Sequence, residues 1–415
     1  MSAPVQAPPH ATPPIPVSAA APRAARGLPE RVLRSIGSYG LACVILMLLL
    51  LVVLLGTLAQ QHMSLYDVQG KYFESIGFIE RLPGGIPLPL PGGALLLSLL
   101  LVNLLVGGVL RMRLGWRKVG ILVAHLGIVV LLVGSAIEHS RSDKGYLALS
   151  LTEAGDVFFS HTDWELAVRD DPGPGAKEYV IPQADLRRAA NGGSVVRTHD
   201  ALPFDVVVTD WGRNTEVRAA TSGEGVDGVM LRSLDPAREA ERNVPGAYVT
   251  LVPHDGSAPV QGLTSGRERG PWVAWVAGKR YEVETRKQQW KLPFAVRLDR
   301  FVKRDHPGTS MPAEYSSYVT KTEAGVSEKR HITMNEPLRH RGYTLYQSGY
   351  GPGPDEPQDL PPWSVFSVVR NPTDRVPIVA CAIIAFGLLL HFCVKLYYHL
   401  RREAASRPSR AEARA

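Results

Sequence analysis

Cysteine is scarce in this chain of 415 residues, which has three. Cys43, Cys381 and Cys393 all lie inside apolar stretches, so the long polar segment 138–375 contains none. A disulfide framework and a Cys-x-x-Cys metal or redox motif are therefore excluded from that segment. The protein is not itself a thiol–disulfide exchange enzyme.

Charge and catalytic motifs are also scarce. Charged residues make up only 20% of the chain, and no Gly-rich phosphate loop, His-Glu-x-x-His helix, Gly-x-Ser-x-Gly elbow or acidic metal loop occurs in it. Energy coupling and hydrolysis are therefore unsupported. We assign no catalytic residue.

Four uninterrupted apolar runs dominate what the sequence does contain. At about 1.5 Å per residue, each is close to the length that crosses the hydrocarbon core of a bilayer. The first run begins about forty residues into the chain and others follow it, so it is not a cleavable signal peptide. We predict four transmembrane helices, at residues 41–59, 94–110, 119–137 and 376–396.

The net charge of +7 indicates orientation, not nucleic-acid binding. Lys and Arg cluster before the first run, in the 111–118 turn and after the fourth run, which all fall on the same side of the membrane. By the positive-inside rule this side is cytoplasmic. We predict a protein of the cell (inner) membrane with both termini cytoplasmic, an exported 138–375 segment and no nucleic-acid partner.

The remaining segments complete the predicted architecture. Residues 1–34 are rich in Pro and Ala, a composition that predicts a disordered cytoplasmic tail. For residues 397–415 we predict a basic cytoplasmic tail. The predicted fold class is a multi-pass α-helical membrane protein: residues 35–137 hold three transmembrane helices, and a large, mainly β exported domain of one or two modules lies between helices three and four. Its predicted strands lie at 146–151, 204–208, 247–252, 272–276, 294–298, 343–346 and 365–369.

Two histidines lie inside the predicted spans, His125 in helix three and His391 in helix four. An ionisable group in hydrocarbon costs a few kcal/mol and usually reflects a use. Both are expected in the cytoplasmic half at similar depth, where two imidazoles can hold a haem iron axially. Gly387, one turn from His391, is expected to leave room for the flat macrocycle. The alternative is that each histidine makes one interhelical hydrogen bond.

Three stretches carry a family resemblance. They read Leu-Gly-Thr-Leu-Ala-Gln at 55–60 followed by Tyr-Phe at 72–73; Gly-Ile-Leu-Val-Ala-His-Leu-Gly-Ile-Val at 120–129; and Ile-Thr-Met-Asn-Glu-Pro-Leu at 332–338 with Gly-Tyr-Thr-Leu-Tyr-Gln-Ser-Gly-Tyr at 342–350. Together with the four-helix layout, they resemble the ResB (also called Ccs1 or CcsB) family of cytochrome c biogenesis membrane proteins.

The resemblance implies a role in the System II pathway. Such proteins work with a CcsA/ResC-type membrane partner that carries a Trp-rich haem-handling loop, and together they bring haem outward for attachment to exported apocytochrome c. The chain would then be one subunit of a holocytochrome c synthase, non-catalytic alone. Haem b would be its non-covalent cargo, and thiol reductant proteins its indirect partners.

The resemblance also bears on the site. The family's haem-binding histidine of helix three matches His125, and we take His391 as the candidate for the second axial ligand or a near neighbour. The partner is the alternative source of that ligand. Two other functions stay open: a scaffold or chaperone that holds apocytochrome through the exported domain without binding haem, and a membrane-anchored sensor or adhesin.

Overall fold

The computed structural model describes residues 28–406, apart from residues 82, 113–114, 171–175, 221–224, 269, 310, 353–356 and 358. Residues 1–27 and 407–415 of the two predicted tails lie outside this described part. Residues 28–34 were predicted to be disordered but lie in helix α1 (Leu28–Ile36), and the last helix extends past the predicted span to Ser406. Hydropathy marks where a span leaves the hydrocarbon, whereas Arg and Glu are good helix formers that carry the helix further.

Four helices of the described part are long and apolar enough to cross a membrane, which confirms the predicted multi-pass class. The helices that follow α1 are α2 (Tyr39–Ala59), α3 (Leu65–Val68), α4 (Gly93–Asn103), α5 (Val119–Arg141), α6 (Gln183–Leu186) and α7 (Val376–Ser406). The spans are α2, α4, α5 and α7. A π-helical segment, Leu104–Leu110, continues α4 to the far side.

Asn103 ties the second span to the start of the first. Its buried side-chain Nδ2 donates to the carbonyl oxygens of Ile36 at 2.5 Å and Ser38 at 3.1 Å. The hydroxyl of Ser38 in turn accepts from the Leu41 N–H at 3.2 Å and caps α2. The amide therefore satisfies two carbonyls at the start of α2 and is itself satisfied inside an apolar span.

Glycines bring α5 and α7 into backbone contact. A Cβ atom at Gly120 would lie 2.4 Å from the backbone nitrogen of His391, and one at Gly387 would lie 2.5 Å from the backbone nitrogen of Ala124. Close packing of this kind holds helices together in lipid, where the hydrophobic effect does not. It also overturns the expectation for Gly387, because α5 fills the space beside it and leaves no room there for a macrocycle.

The connection between the first two spans is itself folded. It runs through α3 and a π-helical turn, Gln69–Phe73, into a hairpin of β1 (Gly77–Arg81) and β2 (Pro87–Pro91). Val68 and Tyr72 are buried in one apolar cluster with side chains of α2 and α4. Burial of these side chains anchors the connection on the membrane helices.

A mainly β domain lies between α5 and α7, as predicted. Its strands are β3 (Asp143–Ser150), β4 (Ala154–Asp170), β5 (Glu178–Pro182), β6 (Ser194–Arg197), β7 (Phe204–Gly212), β8 (Thr215–Ala219), β9 (Val229–Ser233), β10 (Gly246–Pro253), β11 (Val260–Ser265), β12 (Trp272–Val276), β13 (Lys279–Asp305), β14 (Pro312–Glu323), β15 (Val326–Thr333), β16 (Leu338–His340), β17 (Tyr343–Gly351) and β18 (Trp363–Arg370). The large sheet has the order β15-β14-β13-β4-β3-β18-β17-β16, with β12 paired to β13 and β5 to β4. A second sheet has the order β11-β10-β7-β6, and β8 pairs with β9.

Two long antiparallel strands, β4 and β13, link two hydrophobic cores. The first core gathers side chains of β7, β10 and the beginning of β13 around the buried Phe204 and Val249. The second gathers the later part of β13 with β14, β17 and β18 around Phe294 and Phe366. Because both strands contribute to both cores, the two halves of the domain share a continuous backbone ladder.

The motif at 342–350 forms β17 and its preceding turn. Arg341 and Gly342 both have positive φ, as a tight hairpin turn between β16 and β17 requires. The buried side chain of Gln347 hydrogen-bonds Ser317 at 2.7 Å and Ser364 at 2.7 Å. This part of the motif therefore holds β14, β17 and β18 together inside the domain.

Candidate functional site

His125 lies on α5 with its ring against the second span. Its Nδ1 is 3.2 Å from the carbonyl oxygen of Gly108. A carbonyl only accepts hydrogen bonds, so Nδ1 is the donor in this contact, and in the neutral imidazole Nε2 then keeps its lone pair. This is the tautomer that a metal-binding histidine uses. A Cβ atom at Gly108 would lie 2.7 Å from Nδ1, so a glycine is needed to give the ring this position.

His391 lies on α7, half-buried, beside the contact with Gly120. Its Nδ1 is buried and has no hydrogen-bond partner among the described residues. Buried polar atoms are almost always paired, so this orphaned nitrogen points to a partner or ligand outside the described part of the chain. The interhelical hydrogen bond considered as an alternative is present for His125 and is not present for this atom.

The two imidazoles face different neighbours. Ala124, which precedes His125, packs against Gly387, so His391 lies about one helical turn further along α7, roughly 6 Å. Within the described ranges, no hydrogen bond or ring contact joins the two side chains. The structure therefore places them in one region of the α5–α7 pair without bringing them together.

Other metal-binding side chains are dispersed. Nowhere in the described part of the chain do three or more His, Cys, Asp or Glu side chains form a group that could hold a metal ion. The three cysteines are free and exposed on α2 and α7. In the β domain, the His161 ring lies 3.8 Å from the Glu241 carboxylate and the His254 ring lies 3.0 Å from the Asp205 carboxylate, both at the surface. Of the predicted ligands, His125 and His391 stay the candidates for iron.

A second site, not predicted from the sequence, lies where the connection meets the β domain. We call it the junction cavity; its volume is about 280 Å³. Tyr66 and Asp67 line it from α3, and Trp164, Arg187 and Arg213 line it from the domain. The two α3 residues lie roughly 100 or more positions before the three domain residues in the chain, so no local sequence motif indicates the cavity.

Polar contacts across the junction cavity fix the connection to the domain. The Tyr66 hydroxyl accepts from the Arg187 guanidinium at 2.7 Å and donates to the Asp163 carboxylate at 3.2 Å. Arg213 forms a short ion pair with Asp67. Burial raises the pKa of Tyr66 above its ordinary value, so the phenol keeps its proton and continues to donate.

The fold and the site together define a class: a multi-pass membrane protein with histidines inside its spans and a β domain inserted before the last one. The chain belongs to the ResB-like family, whose family model matches residues 109–360. This match confirms the resemblance inferred from the motifs.

A curated relative supports the same assignment. The chain is 22% identical to "Protein NrfI" of Wolinella succinogenes over 296 residues, which cover 71% of this chain and 29% of that relative. The chain therefore spans less than a third of the length of this relative.

Proposed function

We propose that the chain is a membrane subunit of a cytochrome c biogenesis complex that brings haem across the membrane for attachment to exported apocytochrome c. Membership of the ResB-like family supports the role in cytochrome c biogenesis. The observation that carries the haem step is the 3.2 Å contact between His125 Nδ1 and the Gly108 carbonyl oxygen, which leaves Nε2 as the ring nitrogen free to bind iron. The second membrane subunit is a CcsA/ResC-type protein with a Trp-rich haem-handling loop.

Haem b is the non-covalent cargo, and His125 is the proposed axial ligand through Nε2. His391, with its unpaired Nδ1, is the proposed second ligand or near neighbour. Because α5 and α7 touch at Gly120 and Gly387, the macrocycle lies beside this helix pair and not between its members. The hydrogen bond from His125 to Gly108 holds the ring in place and makes Nε2 a better donor.

The test is the haem content of the purified full chain, alone and with its partner, measured by visible absorption. We expect His125→Ala to lose most of the bound haem and His391→Ala to weaken binding or shift the absorption bands. His399→Ala is the matched control, because His399 is an exposed residue of α7 outside the hydrocarbon run. Unchanged haem content in His125→Ala would contradict the ligand assignment.

A scaffold function is the second candidate, because most of the family match, residues 109–360, lies in the β domain. In that case the domain holds apocytochrome c while the partner alone handles haem. Normal cytochrome c maturation in cells carrying His125→Ala, together with unchanged haem content, supports the scaffold. Loss of maturation with loss of haem supports the haem-binding subunit.

A further inference from the structure

The outward face of β13, β14 and β15 concentrates positive charge. Two shallow clefts of about 600 and 480 Å³ lie side by side on it and share Arg297 and Lys329. Arg300 and Arg330 add further cations to the first cleft, and Asp299 is the only acidic residue among the described residues that line either one. The segment between α5 and α7 as a whole has slightly more acidic than basic residues. This surface, which we call the cationic face, is therefore a local concentration of charge.

An irregularity in β13 builds the cationic face. The register of β13 against β14 shifts between Leu298 and Arg300, so Asp299 is an extra residue opposite Tyr318. An extra residue interrupts the alternation of side chains between the two faces of a sheet, and such bulges are frequent next to functional sites. Regular alternation would put Arg297 and Arg300 on opposite faces, whereas the bulge lets both line the same cleft.

Planar groups from the three strands form a stack on this face. The Arg300 guanidinium lies 4.1 Å from the centre of the Tyr318 ring, and the rings of Tyr318 and His331 are stacked with their centroids 4.2 Å apart. Tyr318 is directly opposite His331 in the β14–β15 ladder. The ring holds the guanidinium by its flat side, so the N–H groups around the guanidinium edge stay available to an acceptor.

Two cations of the face are unpaired. Within the described part of the chain, neither Arg300 nor Lys329 forms an ion pair or a side-chain hydrogen bond, and the Asp299 carboxylate pairs with Arg297 at 2.9 Å. Like charges gathered on one surface repel one another. An anionic partner would relieve this repulsion, and a guanidinium is well suited to a carboxylate.

The spacing of the charges favours a polypeptide over a small anion. Arg297 and Arg300 belong to β13 and Lys329 belongs to β15, with β14 between the two rows. Neighbouring strands are about 4.8 Å apart, so the backbones of the rows are roughly 10 Å apart. A single carboxylate fits one row, whereas a chain segment that carries several carboxylates can engage both.

The position of the face favours a soluble partner over a lipid headgroup. The backbone of Leu298 hydrogen-bonds Thr152 at 2.8 Å and Glu153 at 3.1 Å, in the loop that follows β3. This loop is at the end of β3 away from α5, and the seven steps from Asp143 to the end of the strand cover roughly 23 Å along it. The cationic face therefore lies at the end of the sheet remote from the span that leads into it.

We propose that the cationic face docks an acidic, extended segment of another, soluble protein, whose carboxylates pair with Arg300 and Lys329. This surface goes beyond the proposed function, because it needs neither haem nor His125. It gives the β domain a protein-binding site separate from the helix pair that carries the histidines.

The test uses a rhodamine-labelled peptide of about ten alternating Glu and Gly residues. Its fluorescence anisotropy is titrated with the full chain in phosphatidylcholine nanodiscs at an ionic strength of about 0.05 M, where exposed charges are only partly screened. We expect saturable binding that Arg300→Gln and Lys329→Gln each weaken about threefold, the size typical of one exposed ion pair. The double variant is expected to bind about tenfold more weakly, and a peptide with Gln in place of Glu is expected not to bind.

Arg232→Gln is the matched control, because Arg232 is an exposed arginine of β9 that lies outside both clefts. It removes the same charge from the same domain and should bind the peptide like wild type. Arg300→Lys keeps the charge and should retain most of the affinity. Equal weakening by Arg232→Gln and Arg300→Gln would overturn the proposal, since binding would then follow net charge alone.

Location and ligand class are tested with the same peptide. A photoreactive benzophenone on the peptide should crosslink to β13, β14 or β15, and crosslinks confined to other strands would contradict the assignment. Displacement of the peptide by inorganic phosphate at unchanged ionic strength would also overturn it, because the face would then be a small-anion site. Haem content should be unchanged in Arg300→Gln, so this proposal and the His125 proposal can fail independently.

Discussion

At the scale of residues, polar atoms in apolar surroundings separate structural from functional roles. Asn103 satisfies both hydrogens of its amide within the chain and is structural. His125 satisfies one ring nitrogen and leaves the other with its lone pair, whereas His391 and Trp164 each leave a buried nitrogen unpaired. Whether a buried polar group has all its hydrogen-bond partners within the chain therefore indicates a ligand site better than its residue type does.

Ion pairs in the β domain predict a pH dependence at this scale. Arg286 donates two 2.7 Å bonds to the Glu178 carboxylate and holds the pKa of that carboxyl below its ordinary value. A carboxyl with a lowered folded-state pKa adds stability at neutral pH, and this stability is lost as the pH falls below about 4.3, the ordinary value for glutamate. Glu178→Gln should therefore cost about 1 kcal/mol at pH 7, since the pair is partly exposed, and less in acid.

The measurement is the thermal unfolding midpoint of the full chain in detergent between about pH 7 and pH 3, a range that includes the pH values below about 4.3. The gap between wild type and Glu178→Gln should narrow as the pH falls. Glu314→Gln, at an exposed carboxylate of β14, serves as the control and should show little gap at any pH. A gap that widens in acid would contradict the sign of this prediction.

At the scale of elements, the close contact of α5 and α7 is set by glycine. A Cβ at Gly120 would meet the backbone nitrogen of His391 at 2.4 Å, and a backbone atom cannot rotate away. Gly120→Ala should therefore push the helices apart and destabilise the protein by about 1–3 kcal/mol, the usual cost of overpacking. This cost exceeds the gain in helix propensity from Gly to Ala.

The check on this prediction is the unfolding midpoint of the full chain in one detergent. Gly40→Ala is the matched control, because Gly40 lies in the span α2 and a Cβ there meets nothing within 4 Å. Gly40→Ala should match or slightly exceed wild type. Equal midpoints for Gly120→Ala and Gly40→Ala would show that the α5–α7 contact is looser than the structure indicates.

The helices and strands also differ in how well they could be predicted from the sequence. The spans could be predicted because an unbroken run of about twenty apolar residues is typical of a membrane-spanning helix, and His125 and His391 stand out against such a background. That Lys279–Asp305 forms one continuous strand could not be predicted, because Pro293 interrupts the alternating pattern that indicates a strand. The junction cavity could not be predicted either. In the sequence, Trp164 and Arg187 look like an ordinary core aromatic and a surface charge, and only the fold brings β4 and the turn after α6 together with Tyr66.

At the scale of the whole molecule, sheet pairing determines which spans are neighbours. β3 leaves α5 and β18 leads to α7, and the two strands pair antiparallel, with Asp143 opposite Arg370 at the membrane end. The helices that carry the domain are thereby brought side by side, and the buried Thr373 hydroxyl donates to the Gly134 carbonyl at 3.2 Å. The connection adds a third attachment through Tyr66 and Asp67. The domain is therefore held against the ends of the spans, where the haem transfer that we propose would reach it.

This arrangement works for haem export only if the β domain faces outward, as the basic flanks predict. Gly115, between the second and third spans, and Gly270, in the β domain, are both exposed, and a Cβ at either meets nothing within 4 Å. Each can be changed to Cys without strain in a chain whose own cysteines are replaced by Ala. A membrane-impermeant maleimide applied to intact cells should label Gly270→Cys and spare Gly115→Cys until the membrane is opened. The reverse pattern would place the basic flanks outside and the domain inside. It would remove the outward direction of haem transfer while leaving the fold and the family unchanged, so this experiment separates the proposed role from the architecture on which it rests.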